Sequence, residues 1–149
     1  MTDEPRSGFR FSRIAASVAL VLALGLFATW LYFDRIANPR VIRELLENPR
    51  GERSERVMLL TLPSGRLVPV NYLREGSFVY AGADGGWWRE LAGEGGPVSV
   101  LIRGEALSGR GRAVVDDPEY TRRIFSRLRP DAIEGFGTLV EVRLDLDPG

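Results

Sequence analysis

The sequence predicts a small domain of the α+β class, mainly β, built as a six-stranded barrel with short helices and preceded by one N-terminal transmembrane helix. Three observations support this prediction. Six short strand-like segments separated by turns lie between residues 57 and 146, a continuous uncharged segment occupies residues 14–33, and 149 residues leave room for one modest domain. Closing the six strands into a barrel would remove the exposed edges that so small a sheet could not otherwise cover.

The composition excludes several kinds of chemistry. The chain has no His and no Cys, and all 20 of its basic residues are Arg. Disulfides, thiol nucleophiles, Ser-His-Asp triads and His- or Cys-ligated metals are therefore excluded. An enzyme with this composition would use carboxylates alone or take its chemistry from an organic cofactor. The formal net charge of +0 gives no overall attraction to nucleic acid.

The N-terminal region predicts a membrane anchor. Residues 1–13 form a polar tail, and residues 14–33 carry no charge. Spanning the hydrocarbon core takes about 20 helical residues, and Trp30 and Tyr32 lie at one end, where an interfacial aromatic belt belongs. We therefore expect a single-pass cell-membrane protein with lipid as a partner. A cleaved signal peptide is the alternative, although its apolar core would be shorter and would precede a small-residue cleavage site.

A juxtamembrane segment follows at residues 34–55. Asn38 and Pro39 predict the start of a short helix, with an apolar stripe of Val41, Ile42, Leu45 and Leu46, and Asn48-Pro49 predicts its end. The helix either packs on the domain or lies on the membrane surface. Three arginines precede the apolar segment and four follow it within a short distance, so the charge bias leaves the membrane orientation nearly undecided.

Residues 56–149 form the predicted barrel domain. The predicted strands are 57–62, 66–73, 77–81, 98–102, 105–115 and 139–146. Two short helices are predicted at 87–92 and 118–129, the second capped by Asp117 before Pro118. The last strand alternates polar and apolar residues with period two, except that Leu139 begins its polar side.

Several motifs in this domain carry a resemblance to a known family. They are Arg66-Leu-Val-Pro-Val-Asn-Tyr-Leu-Arg-Glu-Gly76, Ala83-Asp84-Gly85-Gly86, Trp87-Trp88-Arg89-Glu90-Leu91 and Pro97-Val98-Ser99-Val100. In this order they resemble the deazaflavin-dependent nitroreductases, which belong to the split-barrel superfamily of flavin-binding oxidoreductases. The resemblance covers about residues 57–146 and implies a split β-barrel.

The resemblance also implies a function. Family members bind the deazaflavin coenzyme (F-420), or sometimes a flavin such as FMN, in a groove on the barrel, and they pass a hydride to quinones, nitroaromatics or other activated acceptors. By this analogy the cofactor-binding residues are Ser64, Gly65, Arg66, Pro69, Gly85, Gly86 and Trp88. The resemblance implies a lipid-soluble quinone as a candidate acceptor, a cytoplasmic domain and a homodimer. No catalytic residue is assigned.

The residue types suit these roles. Backbone N–H groups at Ser64 and Gly65 can approach a phosphate, and Arg66 can add charge-assisted hydrogen bonds. Glycines at 85 and 86 allow close approach to a flat ring, which Trp88 could cover. The same residues also occur in ordinary turns, loops and packed aromatic contacts, so only their order along the chain favours the functional interpretation.

The chain departs from the family pattern at the same places. The turn at Pro63-Ser64-Gly65 lacks both family cations, Asp84 stands where a Lys is frequent, and Glu90 replaces an Asn. An acidic residue at position 84 is expected to repel an anionic coenzyme. The alternative function is therefore a cofactor-free module that binds a small ligand or a protein. A carboxylate-only hydrolase is a weaker alternative, since no pair of acidic residues has a spacing that demands catalysis.

Overall fold

The computed structural model describes residues 8–32, 38–133 and 135–145. Several predicted features extend beyond the described residues. They are the first part of the polar tail, the end of the apolar segment at Phe33, the beginning of the juxtamembrane linker and the end of the last predicted strand at Leu146. The chain divides into two compact units, residues 1–40 and 41–149, and each is described by itself.

The first unit contains one long helix, α1, at Gly8–Tyr32. It begins six residues before the predicted start, so residues 14–32 of the predicted apolar segment and residues 8–13 of the predicted polar tail form one helix. The described apolar side chains of α1 are exposed, with Leu26 at 73%. Within the described parts of the chain, no helix is both long enough and apolar enough to cross a membrane. The predicted transmembrane helix and single-pass membrane localisation are therefore not supported.

The second unit is a closed barrel of six antiparallel strands. They are β1 (Val57–Thr61), β2 (Leu67–Glu75), β3 (Phe78–Ala83), β4 (Gly96–Ile102), β5 (Glu105–Val114) and β6 (Thr138–Leu144). The strand order around the barrel is β1-β2-β3-β6-β5-β4. The predicted six-stranded barrel is confirmed, and each strand overlaps its predicted range.

The barrel interior is filled by side chains at alternate strand positions. Met58 and Leu60 of β1 are fully buried there, as are Val79 of β3 and Val140 and Val142 of β6. Leu91 closes on this core from a short 3-10 helix at Gly86–Leu91, which replaces the predicted helix at 87–92. A Cβ at Gly111 would lie 3.1 Å from both Leu91 Cδ1 and Val98 Cγ1, which shows how tightly the barrel interior is packed here.

Two α-helices complete this part of the chain. The helix α2 (Asn38–Glu47) confirms the short helix predicted to start at Asn38 and to end before Asn48-Pro49, and a 3-10 helix at Glu52–Glu55 follows it. The helix α3 (Pro118–Leu128) starts where the sequence predicts, because the Asp117 side chain accepts a hydrogen bond of 2.9 Å from the Tyr120 N–H.

A second apolar cluster joins α3 to the outer face of the barrel. It contains the buried side chains of Tyr80, Val114, Ile124 and Leu139. Leu139 is 0% exposed although it begins the polar side of β6. The reason is that α3 covers this part of the outer face, so an outward-pointing position is buried as well.

Candidate functional site

The ladder between β2 and β3 covers only part of both strands. It pairs Tyr72 to Glu75 with Ala81 to Phe78. The strand β2 begins at Leu67 and β3 continues to Ala83, but these parts pair only with β1 and β6, respectively. The two strands therefore separate beyond the Tyr72–Ala81 pair. We call the break in the ladder, flanked by residues 67–71 and 82–86, the β2–β3 cleft.

Pro69, Gly85 and Gly86 flank this cleft, and the other predicted site residues lie next to its two sides in the chain. Pro69 lies on the β2 side, and the turn with Ser64, Gly65 and Arg66 leads into the same strand. Gly85, Gly86 and Trp88 follow directly after β3 on the other side. A hydrogen bond of 3.2 Å from the Ser64 N–H to Glu90 Oε2 joins the two segments.

The amide groups of the turn are already engaged within the protein. The Ser64 N–H donates to Glu90, the Gly65 N–H donates to the Leu62 carbonyl at 2.8 Å, and the Arg66 N–H donates to Ser64 Oγ at 3.4 Å. A phosphate at this turn would have to replace the Glu90 carboxylate. The predicted use of these amides therefore meets a competing acidic group.

Pro69 occupies a strand position that suits it. It lies opposite Leu59 of β1, in the part of β2 that has no ladder with β3. Proline has no N–H to donate, so it fits a strand where that side is not needed for a sheet. An apolar ring edge therefore faces a surface that is free of β3 backbone.

The two glycines and the tryptophan differ in accessibility. Gly85 has an extended backbone, and a Cβ there would meet only Trp87 Cδ1, at 3.9 Å. At Gly86 a Cβ would collide with the Arg89 guanidinium. The Trp88 side chain is half-buried, and Arg89 Cζ lies 5.1 Å from its ring centroid. Gly85 thus offers open backbone, whereas Trp88 is already partly covered by a cation.

Arg129 is a residue that the sequence analysis did not assign to the site. Its Nη1 lies 2.6 Å from Asp84 Oδ1, and its Cζ lies 4.5 Å from the Phe125 ring centroid. Its side chain is only 15% exposed. The Asp84 charge that was expected to repel an anion is therefore paired with a guanidinium.

The space for Arg129 comes from two glycines. A Cβ at either Gly82 or Gly137 would collide with its guanidinium. Its Nε and Nη2 atoms are buried and have no hydrogen-bond partner among the described residues. Nothing in the local sequence around Arg129 marks this contact, because Asp84 and Gly82 lie more than forty positions away along the chain.

Two open cavities lie elsewhere on this unit. The larger, of about 790 Å³, lies beside α3 and includes Phe125, Arg129 and Ile133 in its lining. The smaller, of about 530 Å³, lies beside Arg74 and Arg103. None of the predicted site residues lines either cavity. Within the described part of the chain, no group of three or more acidic side chains could hold a metal ion.

No protein-family model matches the sequence, and no curated protein matches it. Several solved structures resemble it, and the three described here each have 20% sequence identity to this chain. A pyridoxamine 5'-phosphate oxidase-like protein from Listeria innocua has a TM-score of 0.47, with 63% of this chain and 89% of that chain covered.

The other two are described as flavin-binding proteins. The general stress FMN/FAD-binding protein from Xanthomonas citri has a TM-score of 0.43, with coverage of 62% of this chain and 78% of that chain. An FAD-binding protein from Mesorhizobium loti has a TM-score of 0.40, with coverage of 68% and 87%. These likenesses do not assign a cofactor to this chain, and none of the three is described as a deazaflavin-dependent nitroreductase.

Proposed function

We propose that the barrel is an oxidoreductase domain that binds a flavin-type ring cofactor, FMN or the deazaflavin coenzyme, in the β2–β3 cleft. One observation carries the proposal. The two sequence segments that carry the predicted cofactor-binding residues, 64–69 and 85–88, lie at or next to the two sides of the same break in the barrel ladder. Such a cofactor would supply hydride transfer to an activated acceptor, which this chain without His or Cys has few other means to perform.

The residues of the cleft fit the ring part of such a cofactor. The open backbone at Gly85 allows a flat ring to approach, and Pro69 offers an apolar surface on the opposite side. The pairing of Asp84 with Arg129 reduces the repulsion that an anionic coenzyme would meet at this position. The Arg66 side chain is proposed to hold the anionic part of the coenzyme. A lipid-soluble quinone acceptor and a homodimer stay predictions.

One observation favours a second candidate function, a cofactor-free binding module. The Glu90 carboxylate accepts from the Ser64 amide at the place where the phosphate of a flavin would be held. A carboxylate and a phosphate repel each other, so a chain selected to bind the phosphate would not be expected to place an acidic residue there. In this alternative the cleft binds a neutral ligand or a protein segment.

Two substitutions separate these functions. Gly85→Ala is compatible with the extended backbone and meets only an ordinary contact, so we expect no change in thermal stability. The added methyl group would hold a ring away from the backbone, and we expect roughly tenfold weaker cofactor binding. Glu90→Gln removes the competing charge and is expected to strengthen FMN binding.

The measurement is a fluorescence titration of the purified full chain with FMN and with oxidised and reduced deazaflavin coenzyme. Ser126→Ala on the exposed face of α3 serves as a control that should leave binding unchanged. If neither cofactor binds to the parent chain or to the Glu90→Gln variant, the redox proposal is wrong and the binding module remains.

A further inference from the structure

Three arginines surround the smaller open cavity, at one end of the barrel. Its lining consists of Arg50, Arg74, Ile102, Arg103, Gly104 and Glu105, and its volume is about 530 Å³. We call it the arginine cavity. It lies where β2 and β4 end, whereas the turn at 62–66 lies at the opposite end, where β1 ends and β2 begins. The arginine cavity is therefore separate from the β2–β3 cleft.

Three distant parts of the chain bring the guanidinium groups together. Arg74 follows Val70 and Tyr72 at alternate positions of β2, so it continues the inward-facing side of that strand at the barrel mouth. Arg103 lies in the turn between β4 and β5. A Cβ at Gly104 would lie 3.3 Å from Pro49 Cβ, and this packing brings the neighbouring Arg50 to the same turn.

Two nearby carboxylates, fewer than the three arginines, form long ion pairs with the arginines of the cavity. Arg74 Nη1 lies 3.4 Å from Glu105 Oε2, and Arg103 Nη2 lies 4.0 Å from Glu55 Oε1. Arg50 has no ion-pair partner among the residues that the structure describes. Glu105 is the single carboxylate in the cavity lining. Exposed pairs at these distances hold their partners weakly, so the lining keeps an excess of positive charge that a ligand can use.

The backbone at Arg103 is unfavourable for an arginine. Its φ is 50°, and it is the only non-glycine with a positive φ among the described residues. Gly104 follows with a φ of 82°. Two consecutive positive φ values are typical of a type I′ hairpin turn, whose first central position prefers Asn, Asp or Gly. No local backbone reason explains an arginine at this position, and its side chain lines the cavity.

The charges of this cavity act on a neighbouring phenol. Burial raises the pKa of Tyr72, whereas the charges of Arg103 and Arg74 act to lower it. The Tyr72 hydroxyl donates a hydrogen bond of 3.1 Å to the Ser54 carbonyl. Tyr72 thus lies close enough to Arg103 and Arg74 to feel their charges, and its partly buried side chain packs against the apolar core.

We propose that the arginine cavity binds a phosphate group, carried by a soluble phosphorylated metabolite or by a lipid headgroup. A phosphate offers several charged oxygens to the planar donor pairs of guanidinium groups, and it is the anion for which clustered arginines are best suited. The Glu105 carboxylate lowers the net positive charge of the cavity lining. One bound phosphate therefore balances that net charge better than a polyanion would. This inference does not rest on the proposed redox function.

The decisive variant is Arg103→Gly. Glycine adopts the positive φ without strain, so we expect the melting temperature to stay the same or to rise. The same variant removes one guanidinium from the cavity, and we expect on the order of tenfold weaker phosphate binding. Arg50→Gln, on a different segment, should weaken binding to a similar extent. A purely structural role of Arg103 would not combine unchanged stability with weaker binding.

The measurement is isothermal titration of the full chain with inorganic phosphate, with sodium chloride of matched ionic strength as the reference. Arg110→Gln is the control, because Arg110 is an exposed arginine toward the other end of the β4–β5 ladder and lines neither cavity. Failure of the parent chain to bind phosphate, or binding that survives both Arg103→Gly and Arg50→Gln, would overturn the proposal.

Two further ligands distinguish the source of the phosphate. Glycerol 3-phosphate represents a soluble metabolite, and dioctanoyl phosphatidic acid represents a lipid headgroup. Tighter binding of the lipid, lost in Arg103→Gly, assigns the cavity to a membrane headgroup, and equal binding of both assigns it to the phosphate of a soluble ligand. FMN itself carries a phosphate, so the variants distinguish the two sites: Arg103→Gly weakens binding at the arginine cavity, whereas Gly85→Ala and Glu90→Gln change binding in the β2–β3 cleft.

Discussion

At Gly109 the backbones of two strands approach so closely that no side chain fits between them. A Cβ there would collide with the Arg143 carbonyl oxygen of β6, and Gly109 itself is buried on β5 opposite Leu144. A strand backbone in a closed ladder has little freedom to move aside. The glycine at this position is therefore required by the close approach of β5 and β6.

Gly109→Ala is expected to lower the free energy of unfolding by about 3 kcal/mol, because the added methyl group forces the two strands apart. The measurement is urea denaturation of the full chain. Gly85→Ala is the matched control, since its Cβ has room and its unfolding free energy should stay within about 0.5 kcal/mol of the parent value. Equal stability of both variants would show that the ladder adapts to the methyl group.

The ion pair between Arg129 and Asp84 depends on two glycines, because a side chain at either position would collide with the Arg129 guanidinium. This guanidinium lies against Gly82 and Gly137, stacks on Phe125 and pairs with Asp84. Buried N–H groups without partners are costly, so the ion pair and the ring contact must offset the two unpartnered donors. The sequence alone suggested that the Asp84 charge would repel an anionic cofactor. In the structure the Arg129 guanidinium balances that charge.

At the scale of elements, a hydrogen-bonded group of three side chains fixes α3 to the barrel. The Tyr120 hydroxyl lies 2.5 Å from Glu141 Oε2 and 3.1 Å from the Tyr80 hydroxyl. Burial raises the pKa of Tyr120 strongly, and its hydrogen bonds to Glu141 and Tyr80 raise it further. The phenol therefore stays neutral and keeps donating to the Glu141 carboxylate.

Tyr120→Phe is expected to destabilise the chain by about 1–2 kcal/mol at neutral pH, because the half-buried Glu141 carboxylate loses a donor. The folded-state pKa of Tyr120 lies above the unfolded value of about 10. Its stabilising contribution is complete below about pH 10 and is lost as the pH rises beyond it. The variant should accordingly lose less stability than the parent between about pH 10 and pH 11.

Chemical denaturation at a series of pH values measures both effects. Ser126→Ala, an exposed residue on the same helix, should follow the parent curve at every pH. A Tyr120→Phe variant with the same alkaline loss as the parent would mean that the phenol does not stay neutral in the folded state.

The order of strands and helices in this barrel was largely predictable from the sequence. The helix α3 shows what could be predicted and what could not. The Asp117-Pro118 pair predicts the helix start because it offers a capping side chain before a residue suited to the first turn. The burial of Leu139 was not predictable from β6 alone. The burial of Leu139 depends on where α3 packs, and only the tertiary structure determines that position.

At the scale of the whole molecule, the described side chains of α1 form an exposed apolar surface. Leu20, Leu24 and Leu26 are each more than half exposed. An exposed apolar surface of this kind needs a covering partner. The lipid contact expected from residues 14–33 stays a prediction, and these exposed side chains support it.

Flotation with phosphatidylcholine vesicles tests the lipid contact. We expect the full chain to float with the vesicles and a chain beginning at residue 38 to stay in the aqueous layer, because the second retains the barrel unit without the apolar helix. If both forms stay in the aqueous layer, lipid is not the partner of α1, and an apolar protein surface takes its place.

The sequence by itself determined the strand pattern, the helix start at Asp117 and the absence of His and Cys chemistry, since local periodicity, capping and composition are properties of neighbouring residues. Only the tertiary structure decided that β2 and β3 separate beside the predicted residues, that Arg129 pairs with Asp84, and that three arginines meet at one barrel end. These contacts join residues far apart in the chain. Strand register and side-chain packing determine these long-range contacts, and neither can be read directly from the local sequence.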